Sequence, residues 1–341
     1  MADIARIAGV SVTTVSHVVN GTRAVSPGSA DRVRQAIAKV GYVPDNVVRS
    51  MRTTGTRTLG VAMSAMSNPL FGEVVSGIEQ AAAQAGYSLM LTETHDDPRG
   101  ELRAVSELLN RHVEAIVLAP TTGAGAATAH AGQRDVPVVL VDRFIDAEAD
   151  QIGCENAEPC AQMVDHLIEI GHRRIAFIGG RHGLSTSAER IEGYKASLRR
   201  HGLRVRTADI AYGDSTSTTA QQAFTELMGR PRPPTAIVTA NNQMTIGAMR
   251  AARDLGIGIP DDIALVCFDD FDWADLFHPR LTAMAQPARP IGEQAFGLAL
   301  TRLADRTLPP RRVVIRPTFM HRESCGCPAD SGPAAATAGA D

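Results

Sequence analysis

Residues 3–21 read DIARIAGVSVTTVSHVVNG, and this stretch determines the architecture of the N-terminal part of the chain. Its first half places Ile4, Ile7, Ala8 and Val10 near one face of a short helix, and Gly9 permits the positive φ of a tight turn. Ser11 then stands at the N-cap of a second helix, VTTVSHVVN. The spacing therefore predicts a helix-turn-helix.

The second helix is predicted to have an apolar and a polar face. Its apolar face consists of Val15, Val18 and Val19, and its outward face of Val12, Thr13, Ser16 and His17. A third helix begins at Ser26, has Pro27 at its first position and ends at Gly41. These helices predict a three-helix core, and a small helical bundle without DNA-binding function is the alternative that remains open at this point.

Charge is unevenly distributed along the chain. The 341 residues carry a formal net charge of −3, whereas residues 1–60 contain eight Arg or Lys and three Asp and so carry +5. A basic N-terminal part on an acidic body is typical of a protein in which only that part meets a polyanion such as DNA. A solvated basic face is the alternative.

Residues 44–57, PDNVVRSMRTTGTR, are polar and cationic and indicate a linker. Val47, Val48 and Met51 form an apolar stripe that predicts one or two helical turns. Because so short a helix is marginal in water by itself, we expect it to form only against a partner copy on DNA. The alternative is a solvated tether.

From Thr58 onward, short apolar runs alternate with amphipathic segments, which predicts buried parallel strands separated by helices. The runs fall into two groups, at about 58–157 and 158–284, and a further helix and the strand RRVVIRPTF are expected to return to the first sheet. The predicted strands are TLGVAMS, YSLMLTE, EAIVLAP, PVVLVDR, RRIAFIGG, ADIAYGD, TAIVTAN and DIALVCFDD.

Residues 3–21, together with VSPGSADRVRQAIAKVGYVPDNVVRSMR at 25–52, resemble the DNA-binding head of the LacI/GalR family of bacterial transcription regulators. The resemblance implies an all-α helix-turn-helix head and an α/β two-lobed periplasmic-binding-protein-like body with two Rossmann-like parallel sheets. The expected parts are a DNA-binding head at 1–43, a hinge at 44–57, an effector-binding and dimerisation domain at 58–325 and a disordered tail at 326–341. Within the body, lobe one is expected at 58–157 plus 286–317 and lobe two at 158–285 plus 318–325.

The resemblance also implies how DNA is contacted. Val12, Thr13 and His17 are expected to meet base edges in the major groove, where Val12 offers apolar contact and the other two offer hydrogen bonds. In the hinge, Met51 occupies the place of a leucine wedge in the minor groove, and Arg52 follows it. Phosphate contacts or helix caps are expected of Thr14, Ser16, Asn20 and Ser26.

Polar residues that follow the predicted strands indicate a ligand site, because open α/β sheets bind ligands outside the carboxyl ends of their strands. Carboxylates, amides and arginines together suit a polyhydroxylated ligand, so the predicted effector is a sugar or sugar derivative. Helix caps and ion pairs between the lobes are the alternative roles of these residues. The candidates are Asn68, Phe71, Asp142, Arg143, Arg190, Asn241, Asn242, Asp269, Asp270 and Gln286.

One position departs from the family pattern. Ser215 stands where several relatives have an aromatic residue that stacks on the effector. An apolar wall is then expected from Phe71, Phe271 or Trp273.

No catalytic, cofactor or metal site is predicted. The chain shows no GxSxG, HExxH or P-loop motif and no GxGxxG opening a helix. Cys325 and Cys327 lie close together in SCGC and are interpreted as tail thiols, because nothing nearby offers further ligands. His166 and His172 flank a helix end and are assigned to its C-terminal dipole rather than to a metal.

These patterns predict a cytoplasmic, homodimeric transcription regulator, a repressor, that binds double-stranded DNA at a near-palindromic operator and is controlled by a small-molecule effector. No apolar run is long enough for a membrane span, no signal-peptide h-region is present, and no leucine heptad for tetramers follows Ser324. The alternative is a solute-binding receptor of the periplasmic type without DNA function, which would require an export signal and no basic head.

Overall fold

A computed structural model describes residues 2–20, 23–40, 55–122 and 124–327. The chain divides into two compact units, Met1–Arg57 and Thr58–Asp341. The predicted contacts of Met51, Arg52 and the side chain of Asn20 lie outside the described residues, as does the tail from residue 328 onward.

The described residues of the first unit form three helices, α1 (Ala2–Ala8), α2 (Val12–Asn20) and α3 (Pro27–Val40). Gly9 has a φ of +63°, which only glycine adopts readily, and it turns the chain between α1 and α2. Ser11 caps α2, because its Oγ accepts a hydrogen bond from the Thr14 amide at 3.1 Å. The helix-turn-helix predicted from the sequence is confirmed.

The core of this unit is small and uses short side chains. It is formed by Ile4, Ala5, Ala8, Val15, Val33 and Ala36, with Val10, Val18 and Ile37 packed against it. Of the four residues predicted to share one face, Ile4 and Ala8 are buried and Val10 packs against the core, whereas Ile7 is 44% exposed. Ala5 takes the buried position instead of Ile7.

The second unit begins with five parallel strands and the helices between them. Leu59 of the first strand lies opposite Leu89 on one side and Ala115 on the other. The elements are β1 (Thr58–Met63), α4 (Pro69–Gln84), β2 (Ser88–Glu93), α5 (Pro98–Asn110), β3 (Ala115–Leu118), α6 (Ala124–Gly132), β4 (Val138–Val141) and β5 (Asp150–Cys154).

A second series of strands and helices follows. It builds a separate core whose largest fully buried side chains include Tyr194, Phe177, Phe224 and Phe268. The elements are α7 (Ala157–Glu169), β6 (Ile175–Gly179), α8 (Ser185–Arg200), β7 (Ile210–Tyr212), α9 (Ser217–Met228), β8 (Ala236–Thr239), α10 (Asn242–Leu255), β9 (Ala264–Phe268) and β10 (Thr282–Ala285).

The chain then returns to the first sheet and finally to the second through α11 (Ala288–Ala304), β11 (Arg312–Ile315) and β12 (Thr318–Met320). The first sheet, here called lobe one, has the order β11-β5-β4-β3-β1-β2, and the second, lobe two, has the order β12-β10-β9-β8-β6-β7. All pairings are parallel except that of β12 with β10. The predicted fold class is confirmed, and RRVVIRPTF supplies a strand to each lobe rather than to one.

Among the described residues, no helix is both long and apolar enough to cross a membrane.

Candidate functional site

The outward face of α2 presents the residues predicted to meet DNA. Val12 is 50% exposed and Thr13 is exposed, whereas Ser16 and His17 are half-buried. Two predicted phosphate contacts are engaged within the unit: the Thr14 hydroxyl lies 2.8 Å from the Ser11 hydroxyl, and Ser26 Oγ donates to Ser29 Oγ at 3.1 Å. The N-terminal end of α2 is therefore the accessible edge of this helix.

A cavity of about 210 Å³ lies between the two lobes. It is formed where the carboxyl ends of the strands of both sheets face each other, which is the position predicted for a ligand site in an open α/β sheet. Seven of the ten predicted effector residues line it: Asn68, Phe71, Asp142, Arg143, Arg190, Asn241 and Asp269.

Two carboxylates occupy equivalent places in the two lobes. Asp142 follows β4 with a φ of +69°, and Asp269 follows β9 with a φ of +71°. Both are buried. Burial raises the pKa of each carboxyl; Arg143 and Arg190 partly offset this at Asp142, and Arg190 does so at Asp269. The cavity therefore holds two acids whose charged forms are disfavoured by burial.

The guanidinium of Arg190, on α8, is fixed by hydrogen bonds, an ion pair and an aromatic ring. Its Nε donates to Asn156 Oδ1 at 2.8 Å, its NH1 group donates to the Ala240 carbonyl, and its NH2 group lies 3.9 Å from Asp269 Oδ1. The guanidinium carbon lies 3.7 Å from the centre of the Phe268 ring, a cation–π arrangement. This fixed guanidinium presents a rigid positive edge to the cavity.

Arg143 is the corresponding fixed guanidinium on the lobe-one side of the cavity. It pairs with Asp96, donates to the Pro120 carbonyl at 3.0 Å and lies 3.3 Å from Asp142 through its Nε. That Nε is buried and makes no hydrogen bond. Since a buried donor without an acceptor costs about 1–3 kcal/mol, a ligand oxygen that accepted this hydrogen bond would be stabilised.

Three asparagines at the cavity cap helices or join the lobes. Asn68 caps α4 and Asn241 caps α10, each accepting a hydrogen bond from a backbone amide in the following turn. Asn242 does not line the cavity, and its Nδ2 donates to Asn68 Oδ1 at 2.9 Å. The alternative role as helix caps is therefore real for Asn68 and Asn241, which also face the cavity.

Asp270 and Gln286, two of the predicted effector residues, also lie outside this cavity. Both carboxylate oxygens of Asp270 accept hydrogen bonds from Arg322, at 2.9 and 2.7 Å. Gln286 donates to Asp269 Oδ1 at 2.6 Å and so acts on the cavity only through that residue. Asp269 thus lines the cavity while the adjacent Asp270 is turned toward Arg322.

Of the aromatic residues proposed as an apolar wall, Phe71 lines the cavity. Phe271 and Trp273 instead contact each other edge to face, with ring centres 5.2 Å apart, outside the cavity. Ser215 lines the cavity and has a φ of +58°, and its Oγ accepts a hydrogen bond from the Arg181 amide at 3.1 Å. Apolar side chains therefore line the cavity from both lobes, Phe71 and Leu70 from lobe one and Leu184 from lobe two.

Sequence reasoning missed several polar residues of the cavity. Asp96 follows β2, so the same strand-end rule would have found it if it had been applied to YSLMLTE. The hydroxyl groups carried no comparable signal, because serine and threonine are common in loops. The missed residues that line the cavity include Ser64, Ser67, Asp96, Thr186, Ser187, Thr216, Ser217 and Gln243.

Cys325 and Cys327 have two histidines beside them, contrary to the expectation from the sequence. Nothing nearby was expected to offer further ligands to Cys325 and Cys327, yet His166 and His321 lie beside them, with all four ligand atoms within 4.8 Å of one another. The premise is wrong in two respects: His321 stands only four residues before Cys325 in the sequence, and the fold brings His166 of α7 against this segment. The two cysteines are also not in a tail, since both pack with the core of lobe two.

Comparisons with known proteins agree with this architecture. The family model described as bacterial regulatory proteins, lacI family, matches residues 1–45, and the model of a periplasmic binding protein-like domain matches residues 164–325. The ribose operon repressor of Escherichia coli (strain K12) is 32% identical over 332 residues, which cover 95% of this chain and 99% of that repressor.

Two solved structures are similar over nearly the whole chain. The Lac repressor dimer bound to operator and the anti-inducer ONPF has a TM-score of 0.83 at 26% identity and covers 95% of this chain and 98% of its own. A complex of the transcriptional regulator CelR with cellobiose has a TM-score of 0.72 at 28% identity and covers 94% of this chain and 98% of its own.

Proposed function

Because this chain belongs to the LacI family of bacterial regulatory proteins and is a DNA-binding transcriptional regulator with an effector-binding domain, we propose that it is a homodimeric repressor whose effector is a sugar or sugar derivative. The observation that carries the proposal is the polar cavity between the lobes, with its carboxylates and fixed guanidiniums. The ribose operon repressor and the CelR–cellobiose complex support the effector class.

Each part of the chain has its own task in this proposal. Residues 1–43 bind DNA, residues 44–57 form the hinge, and residues 58–325 bind the effector and dimerise. Within the body, lobe one comprises 58–157 plus 286–317, and lobe two comprises 158–285 plus 318–325. The lobe assignment is supported by the return of β11 to lobe one and of β12 to lobe two.

DNA recognition is assigned to α2 of each protomer. Val12, Thr13 and His17 read base edges in the major groove, and Ser16 contacts phosphate. The exposure of Val12 and Thr13 supports this role. The Lac repressor dimer bound to operator supports double-stranded DNA as the partner, read as a near-palindrome by two copies of this chain.

The effector contacts are assigned by their position at the cavity. The carboxylates of Asp142 and Asp269 accept hydrogen bonds from ligand hydroxyls, Arg143 and Arg190 donate to ligand oxygens, and Phe71 packs on the ligand's apolar face. Asn68 and Asn241 add polar contacts from either lobe. Two further predicted residues act on the site through residues that line it, Asn242 through Asn68 and Gln286 through Asp269. Asp270 pairs instead with Arg322, which does not line the cavity.

The volume of the cavity limits the size of the effector that can bind. Its volume of about 210 Å³ lies below the roughly 300–1,000 Å³ that is typical of sites for drug-sized ligands. A single sugar ring, free or with one small substituent, therefore fits better than a longer oligosaccharide.

Effector and operator binding are coupled through the lobes. A ligand that bridges lobe one and lobe two changes their closure, which alters how two protomers present their hinges to DNA. A coupling free energy of about 1–3 kcal/mol is ordinary for such a system, and it acts reciprocally on the two ligands.

We also propose that the protein is cytoplasmic and has no catalytic activity, because the members of its family are transcriptional regulators. Turnover of a bound sugar by purified protein in the absence of DNA would contradict the second statement.

The experiment combines DNA selection with a sugar panel. Purified full-length protein is used to select genomic fragments, and binding to the recovered motif is then titrated with and without free sugars, phosphorylated sugars and polyols. We expect a near-palindromic motif and at least one sugar that changes the affinity for it. A protein that binds DNA without base preference, or a motif whose binding no member of the panel alters, would contradict the repressor or the sugar part respectively.

Two variants sharpen the assignment of α2. His17→Ala should relax base preference at one position of the selected motif, whereas Ser16→Ala, one residue earlier on the same helix, should weaken binding without changing the motif. An unchanged motif for His17→Ala removes that residue from base recognition.

A further inference from the structure

Two histidines and two cysteines of lobe two, which do not line the cavity between the lobes, are brought together from distant parts of the chain. They are His166 on α7 and His321, Cys325 and Cys327 after β12. Sγ of Cys325 lies 3.3 Å from Nε2 of His321, and Sγ of Cys327 lies 3.3 Å from Nε2 of His166. Cys325 is fully buried and the other three residues are half-buried. The cluster is therefore shielded and composed of nitrogen and sulfur ligands.

The spacing of the four ligand atoms is close to that of a tetrahedral metal site. Zinc binds sulfur at about 2.3 Å and imidazole nitrogen at about 2.0–2.1 Å, so neighbouring ligand atoms around it are about 3.3–3.8 Å apart. The two sulfur–nitrogen distances of 3.3 Å fall at the short end of this range. No pair of ligand atoms is separated by more than 4.8 Å, so an adjustment of about 1 Å closes the site.

The segment that carries the cysteines is fixed by contacts outside the cluster. Ser324 Oγ accepts a hydrogen bond from the Thr282 amide at 2.8 Å and donates to the Leu265 carbonyl at 2.6 Å. Gly326 has a φ of +79°, which lets the chain turn tightly between Cys325 and Cys327. Because the backbone is already held, little conformational entropy is lost when the four side chains converge on an ion.

We propose that His166, His321, Cys325 and Cys327 bind one Zn²⁺ ion per chain. Two thiolates balance the charge of the ion, and two neutral imidazoles complete four-coordination, a ligand set that favours zinc. The ion joins α7 to the segment after β12 and so secures the antiparallel pairing of β12 with β10 at the edge of lobe two. This site is structural and independent of the effector cavity.

The first test measures metal content and coordination in the wild-type protein. Full-length chain without an affinity tag is loaded with Zn²⁺, desalted and assayed by mass spectrometry of the metal, and a second sample is loaded with Co²⁺. We expect about one zinc per chain, and for cobalt the intense visible absorption of a tetrahedral site together with near-ultraviolet thiolate-to-metal charge transfer. A protein that retains no zinc, or a cobalt spectrum without the thiolate band, overturns the proposal.

Variants with a matched control locate the site. His166→Gln and Cys327→Ser should lose the cobalt spectrum and the rise in melting temperature that Zn²⁺ produces in wild type. His172→Gln should keep both, because this histidine follows the same helix but bonds to Thr235 rather than to the cluster. Loss of both signals in His172→Gln as well would overturn the assignment to these four residues. If a cluster variant fails to fold, the wild-type cobalt spectrum still decides.

A disulfide between Cys325 and Cys327 is the competing chemistry. Thiol titration of the denatured, freshly purified protein distinguishes the two, since zinc binding leaves all five cysteines of the chain reduced. A count lower by two thiols in protein that binds no zinc would assign the pair to redox chemistry and overturn the proposal.

Discussion

Asn242 of lobe two donates a hydrogen bond from Nδ2 to Oδ1 of Asn68 in lobe one, at a distance of 2.9 Å. Both side chains are buried. Asn68 Oδ1 also accepts from the Leu70 amide, so one oxygen both caps α4 and joins the lobes beside the cavity. Any movement that separates the lobes at this point breaks the hydrogen bond between the two asparagines.

We expect Asn242→Ala to weaken effector binding, because the variant lacks the hydrogen bond that stabilises the conformation in which the two lobes are in contact. A net contribution of about 1 kcal/mol corresponds to an affinity about fivefold lower, measured by isothermal titration calorimetry with the effector from the sugar panel. Gln221→Ala is the control, since it removes an exposed amide hydrogen bond to Asp254 within lobe two. Equal affinities of the two variants would show that the contact between the lobes does not favour the bound state.

Asn68 and Asn242 illustrate what the sequence could and could not predict. Both were found because they follow buried strands, and the same rule placed seven predicted residues at the cavity, although many of its other lining residues were missed. The bond between them was beyond prediction, because strand ends fix a position within one sheet but not how two lobes face each other. Asp270 does not reach the cavity because its carboxylate pairs with Arg322, a partner distant in sequence.

The histidine–cysteine cluster was missed for a related reason. The sequence itself offered His321, four residues before Cys325, but this histidine was overlooked, and His166 comes from a helix that only the fold packs against the cysteines. Local spacing predicts zinc sites when all ligands lie in one short segment, and this cluster draws one ligand from a distant helix.

Asp142→Asn should stabilise the unliganded protein at neutral pH. Burial raises the pKa of Asp142 above its ordinary value of 3.8, so the folded chain binds this proton more tightly than the unfolded chain. The free energy of unfolding therefore falls as the pH rises from 3.8 through the raised value, and asparagine removes this loss. Asparagine also tolerates the φ of +69°. In thermal melts from pH 4 to 8, the melting temperature of Asp142→Asn should exceed that of wild type by an amount that decreases toward low pH.

Asp305→Asn is a control that should change the stability at neutral pH in the opposite direction. Hydrogen bonds from the Thr307 hydroxyl and amide lower the pKa of this exposed carboxyl, so its stabilisation is present above the ordinary value and is lost as the pH falls through the lowered value. The control should melt slightly below wild type at neutral pH. A destabilised Asp142→Asn protein at pH 7 would mean that its ion pair with Arg143 outweighs the burial of the carboxylate.

Met51→Gly should weaken operator binding while leaving effector affinity unchanged. The prediction rests on the family resemblance, in which Met51 is an apolar wedge of the hinge, and glycine removes the wedge and disfavours the helix. Operator affinity is measured by fluorescence anisotropy, and effector affinity by calorimetry on the same preparation. Equal operator affinity would contradict the hinge assignment, and a parallel loss of effector binding would indicate general damage.

Gly292→Ala should destabilise lobe one, because α11 and α4 approach each other too closely for a side chain. A Cβ at Gly292 would lie 2.1 Å from the Val74 carbonyl oxygen, and a Cβ at Gly77 would lie 2.2 Å from that of Arg289. Separating the helices to admit a methyl group costs about 1–3 kcal/mol. Gly297→Ala is the matched control on the same helix, since its Cβ would meet nothing within 4 Å, and helix propensity predicts a gain of up to about 1 kcal/mol. The urea concentration at the midpoint of unfolding should therefore fall for Gly292→Ala and rise for Gly297→Ala. If Gly292→Ala were as stable as Gly297→Ala, the close packing of the two helices would not limit the stability of lobe one.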